Sequence, residues 1–138
     1  MALHFTRAEF EARKTQTLAA MEKAGLDGLL MFRQESMFWL TGYDTFGFCF
    51  FQCLYLGSDG KVVLLTRAPD LRQAQNTSTI EDIRIWVDRD GATPADDLRD
   101  VLEEAGARGK RLGVEYDAYG LNARNGKRLD AALDGIPR

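Results

Sequence analysis

The segment FGFCFFQCLYLGSDGKVVLLT, residues 46 to 66, constrains the fold more than any other part of the chain. Two β-rich runs, Phe46 to Leu56 and Lys61 to Thr66, flank Gly57, Ser58, Asp59 and Gly60. A short turn with two glycines between such runs predicts an antiparallel hairpin. An isolated hairpin is marginal in water, so the rest of the chain has to cover it.

Both kinds of cover are present. Gly28, Leu29, Leu30, Met31 and Phe32 form an almost uniformly apolar run, the pattern of a strand buried on both faces and therefore central in its sheet. Ile83 to Val87 alternates as a strand, and Arg111 to Val114 reads as a last short one. Thr6 and Glu9 have capping-box spacing, Phe10, Leu18 and Met21 recur at helical spacing, and Gly25 supplies a left-handed stop, which predicts a helix over Arg7 to Ala24. Pro69 to Asn76 reads as helical, Pro94 at a first helical position starts a helix running to about Ala105, and Tyr119 to Leu133 reads as a closing helix. Strands alternating with helices, with one hairpin included, predict an α/β fold: a mixed β-sheet flanked by helices on both faces. At 138 residues, one core is expected, so residues 1–138 read as a single domain.

A net charge of −3 without a dense run of Lys or Arg gives no general attraction to phosphate backbones, which argues against nucleic acid as a partner. No stretch approaches the roughly 20 apolar residues of a membrane span. The start MALHFTRAEF lacks a basic region followed by an apolar run, so a cytoplasmic location is expected. Cys49 and Cys53 would share one face of a strand about 13 Å apart, too far for a disulfide without a bend, so both are expected as free, buried thiols.

Signatures of chemistry are sparse. His4 is the only histidine, and no GxGxxG, GxxxxGK[ST] or GxSxG occurs, so no catalytic residue and no metal ligand is assigned. The acids from Asp96 to Glu104 suit helix-dipole compensation and a solvated face. Glu115 and Asp117 follow a strand end, where α/β sheets keep their sites; a structural role, bonding loop amides or an arginine, is expected of them. Residues 36 to 51, SMFWLTGYDTFGFCFF, hold seven aromatics in sixteen positions. Phe38, Trp39 and Leu40 read as core. Thr41 to Asp44 reads as a bend, and plain turn chemistry and a ligand site both remain open for it.

MFWLTGYDTFG, preceded by GLLMF and followed by QCLYLGSDGKVVLLTR and RLGVEYDAYG, resembles the amino-terminal domain of the creatinase and prolidase family. The resemblance implies a fold sharing a mixed-sheet, RNase H-like motif. A nuclease of that class is not expected, because the acids lie mainly on a helix. It further implies a longer parent whose carboxy-terminal pita-bread domain, absent from these residues, holds two divalent metal ions (Mn, Co or Zn), with no cofactor in this domain. The implied activity of the parent is hydrolysis of a C–N bond in a peptide or small amide, as in Xaa-Pro dipeptidases and aminopeptidases or ectoine hydrolase-like members, within a homodimer. This domain would shape substrate access and dimer contacts, inactive alone. Tyr43, Asp44, Phe46 and Phe48 would form a lip near substrate, and Arg67 would pair with an acid or a substrate carboxylate. Creatinase-like members carry an aromatic and then an arginine after the bend; Phe48 and Phe50 stand at those positions here, against a carboxylate clamp. A rival reading is a stand-alone small-molecule-binding module with an aromatic pocket around Trp39 and Tyr43.

Overall fold

The computed structural model describes residues 3–137. Among these residues five α-helices and five strands follow one another as α1 (Arg7–Ala24), β1 (Gly28–Met31), α2 (Gln34–Thr41), β2 (Cys53–Gly57), β3 (Val62–Arg67), α3 (Leu71–Thr77), β4 (Asp82–Trp86), α4 (Pro94–Glu104), β5 (Leu112–Val114) and α5 (Ala123–Ala132). The sheet order is β4-β3-β2-β1-β5. Strand β1 runs parallel to β5 and β3 runs parallel to β4, while β2 is antiparallel to both β1 and β3. Four strands therefore point the same way and their carboxyl ends share one edge of the sheet.

Strand side chains alternate between the two faces, and each face has its own apolar layer. Leu30, Cys53, Tyr55, Val63 and Leu65 pack with Leu98, Leu102, Leu129 and Leu133 of the α4–α5 side. Met31, Leu54, Leu56 and Leu64 pack with Met21, Met37, Leu40 and Ala74 from α1, α2 and α3. Helices thus cover both faces, as the alternation of elements predicts. Local signals start the helices where expected: the Thr6 hydroxyl accepts from the Glu9 amide, and Thr93 and Asp96 form a reciprocal capping box around Pro94.

The structure departs from the sequence reading in the aromatic segment. Residues 34–41 form a helix in which Met37, Leu40 and Thr41 fall at helical spacing onto the sheet, so Leu40 is core as expected while Trp39 faces outward, 42% exposed. Strand β2 begins only at Cys53; residues 47–49 form a single 3-10 turn and leave Phe46, Phe48 and Phe50 exposed. Both cysteines are free, but Cys53 alone is buried and Cys49 is at the surface. The closing helix starts later than expected, at Ala123, where the Asn122 side chain accepts from the Asn125 amide and caps it. Among the described residues no helix is long and apolar enough to cross a membrane.

Candidate functional site

The segments joining β1 to β2, β3 to α3 and β5 to α5 meet at the carboxyl edge of the four co-directional strands, the place where open α/β sheets keep their sites. Three polar arrangements hold them there.

The first is made by Glu115. Its backbone N–H continues the ladder by donating to Leu30 O, and its Oε1 accepts from the amides of Phe32 (3.1 Å) and Arg33 (3.2 Å) while Oε2 accepts from Ser36 Oγ (2.6 Å). One carboxylate thus ties the end of β5 to the entry of α2, the structural role expected of it. Asp117 takes the arginine: Arg33 Nε donates to its carbonyl at 2.8 Å and Arg33 Nη2 lies 3.5 Å from its Oδ2.

The second arrangement surrounds Tyr43, which is fully buried. Its hydroxyl lies 2.9 Å from Gln52 Oε1 and 3.1 Å from Thr66 Oγ1; Gln52 Nε2 donates to Gln34 Oε1, and Gln34 Nε2 donates back to Tyr43 O at 2.7 Å. Burial, with the negative charge of Asp70 adding to it, pushes the Tyr43 phenol up to about 12. Tyr43 is therefore a neutral brace beneath the surface and not part of an exposed lip. Its neighbour Gly42, the left-handed cap of α2 with φ 85°, packs against the Thr77 carbonyl and the Phe10 ring. These contacts within the chain hold the polar bend.

In the third, Asp70 accepts from the Thr45 hydroxyl and from Arg67 Nε (3.1 Å), and the Arg67 guanidinium lies over the Phe50 ring, 3.6 Å from its centroid. Arg67 pairs with an acid of its own chain.

Above these braces stands an aromatic rim. Phe46 is 90% exposed and Tyr119 80%, and Phe48 meets Tyr119 edge to face at 5.7 Å between centroids. Gly120 permits this approach, since a Cβ there would collide with the Phe50 carbonyl. A cleft of about 620 Å³ opens beside the pair, lined also by Arg33, Glu35 and Asp117. Asp44, exposed, lies farther along with its carboxylate 3.6 Å from His4.

Of the residues singled out in the sequence, Phe46 and Phe48 are both exposed on the segment before β2, the Arg67 guanidinium lies over the Phe50 ring of the same segment, and Tyr43 is buried. Trp39 borders a different cleft with Thr17, Met31 and Glu35, whereas Tyr43 is fully buried. Sequence reasoning missed Asp70, Tyr119 and the two glutamines. The i, i+3 spacing of Arg67 and Asp70 was a usable signal for the first; nothing local marked the others. Among the described residues no group of three or more His, Cys, Asp or Glu is placed to hold a metal ion.

Residues 13–136 match the family described as the Creatinase/Prolidase N-terminal domain. The ectoine hydrolase of Halomonas elongata is 30% identical over 138 residues, 90% of this chain and 33% of that protein. An uncharacterized hydrolase/peptidase of Sinorhizobium fredii is 28% identical over 141 residues, 97% of this chain and 36% of that protein. The chain spans about a third of the length of these curated relatives. Among solved structures, an Xaa-Pro aminopeptidase from Streptococcus pyogenes superposes with a TM-score of 0.74 at 21% identity, covering 96% of this chain and 91% of that one. The dipeptidase PepE from Mycobacterium ulcerans gives 0.73 at 24% identity, covering 96% of this chain and 34% of that one. At these identities the superpositions establish the fold.

Proposed function

The chain belongs to the creatinase/prolidase N-terminal domain family, and on that premise we propose that it is the non-catalytic amino-terminal domain of a cytoplasmic hydrolase that cleaves C–N bonds in Xaa-Pro peptides or related small amides. Its partners are a catalytic carboxy-terminal domain and a second copy of the whole protein. A pair of divalent metal ions in that catalytic domain, Mn, Co or Zn, would supply Lewis-acid chemistry there. Among the described residues no group of three or more His, Cys, Asp or Glu is placed to hold such an ion.

The observation that carries the reading is an apolar rim left outside on a fully bonded support. Phe46, Phe48, Phe50 and Tyr119 are exposed, whereas Tyr43, Gln52, Thr66 and Asp70 beneath them are buried and hydrogen-bonded. Exposed apolar surface with a rigid base marks a face that something else covers. A rim of this kind closes the mouth of a neighbouring catalytic site: it excludes water and limits substrate length without disturbing the groups that perform the reaction.

The charges narrow what the rim accepts. Arg67 is engaged by the buried Asp70, so its charge is already compensated, whereas Arg33 pairs with Asp117 at a half-exposed site. The rim beside Arg67 therefore favours apolar groups. The direct test is an assay of residues 1–138 alone with manganese or cobalt and an Xaa-Pro dipeptide: no turnover is expected, and sustained turnover would sink the reading.

A further inference from the structure

The Asp70 side chain is 8% exposed and stands between the aromatic loop and Arg67. Oδ1 accepts from the Thr45 hydroxyl and Oδ2 from Arg67 Nε. The backbone of Gly47 passes directly against it: a Cβ at that position would lie 2.7 Å from both carboxylate oxygens. The Thr45 hydroxyl oxygen in turn accepts from the Gly47 amide at 3.2 Å. Farther along the same loop, the Phe50 ring packs under the Arg67 guanidinium. One buried acid therefore reaches both ends of the segment that displays Phe46, Phe48 and Phe50.

We propose that Asp70 is a positioning and specificity-determining residue: it pins residues 45–50 in the rim conformation and holds back the Arg67 charge, so that the rim discriminates against carboxylate-bearing groups. The pinning stands on the geometry of this chain alone, while the selectivity rests on the reading that the rim borders a substrate. The chemistry follows from the count of acceptors. A carboxylate offers one oxygen to each of its two donors, whereas an amide in the same place has one oxygen for both and presents an NH2 group to the other. Asp70→Asn can keep its oxygen on Arg67 Nε and turn its NH2 toward the Thr45 hydroxyl oxygen, but it replaces two charge-assisted bonds with weaker neutral ones and leaves the guanidinium without its counter-charge.

Amide hydrogen exchange on residues 1–138 tests the pinning. In Asp70→Asn the amides of Gly47 to Phe50 are expected to exchange about tenfold faster, with Leu54 and Leu64 in β2 and β3 nearly unchanged. Loop rates that stay at the wild-type level, or that rise only in step with Leu54 and Leu64, overturn the proposal. The selectivity is read in the full-length protein as the ratio of kcat/KM for a substrate with a free carboxylate to kcat/KM for its carboxamide. Asp70→Asn is expected to raise this ratio several-fold, and adding Arg67→Gln to return it to the wild-type value. A ratio that does not move, or that stays raised without Arg67, contradicts the specificity role. Thr45→Val provides the control: it loosens the same amides and leaves the ratio alone. If Phe48→Ala leaves KM untouched while exchange in Asp70→Asn is accelerated, the rim has been misassigned and the pinning stands.

Discussion

A Cβ on Gly42 would stand 2.7 Å from the backbone carbonyl oxygen of Thr77. Gly42 also has φ 85°, the left-handed conformation that ends α2. The glycine is thus required twice, for its torsion and for the contact between the end of α2 and the end of α3. Gly42→Ala is expected to lower stability by about 2 kcal/mol or more, the left-handed penalty plus a backbone collision. Urea unfolding measures it, and a loss below about 0.5 kcal/mol would contradict the assignment.

Tyr43 links stability to alkaline pH. Its phenol is pushed from 10.0 to about 12 by burial, with Asp70 contributing in the same direction. The native state therefore keeps the proton to higher pH than the unfolded chain does, and stability is complete below pH 10 and falls between pH 10 and 12. The loss amounts to roughly 2–3 kcal/mol. Tyr55 is also raised, chiefly by burial, so the assignment needs Tyr43→Phe, in which this part of the slope disappears. The same variant deprives Gln52 and Thr66 of a partner and costs about 1 kcal/mol at neutral pH. Unfolding free energies from pH 7 to pH 12 check both effects; a slope that survives in the variant argues against Tyr43 as its source.

The cysteines should separate in reactivity. Cys49 is exposed on the 3-10 turn, whereas Cys53 is enclosed in β2 and burial pushes its thiol well up, with the charge of Glu115 adding to the shift. A thiol-reactive dye is expected to modify one cysteine per chain quickly and the second only on unfolding. Two equally fast thiols would mean that β2 does not lie where it is described.

Where the sequence was legible, the reason is local. Thr6 with Glu9, and Thr93 with Pro94, carry their helix starts within four residues, and the Gly57 to Gly60 turn carries the hairpin. Helix α2 was not legible in the same way. It has eight residues, too short to show a convincing period, and its aromatics suggest strand and burial, although Met37, Leu40 and Thr41 hold the i, i+3, i+4 pattern. Phe46 and Phe48 were expected at a lip through the family resemblance alone, and Tyr119 was not singled out, for a related reason. Hydrophobicity predicts that Phe46, Phe48 and Phe50 go inside, and the forces that keep them outside, the Asp70 contacts and the packing of Gly120 on Phe50, join residues more than twenty positions apart. Glu115 was legible because its place at a strand end already offers loop amides to accept from.

The central claim is that the aromatic rim meets the substrate of a catalytic site outside this chain, and steady-state kinetics of Phe48→Ala in the full-length protein test it most directly. Removing the ring takes away the edge-to-face partner of Tyr119 and touches nothing in the proposed catalytic domain. KM is expected to rise about tenfold, the effect of losing roughly 1.4 kcal/mol of contact, while kcat and bound metal stay within twofold of wild type. An unchanged KM, or a fall in kcat accompanied by loss of metal, would contradict the account.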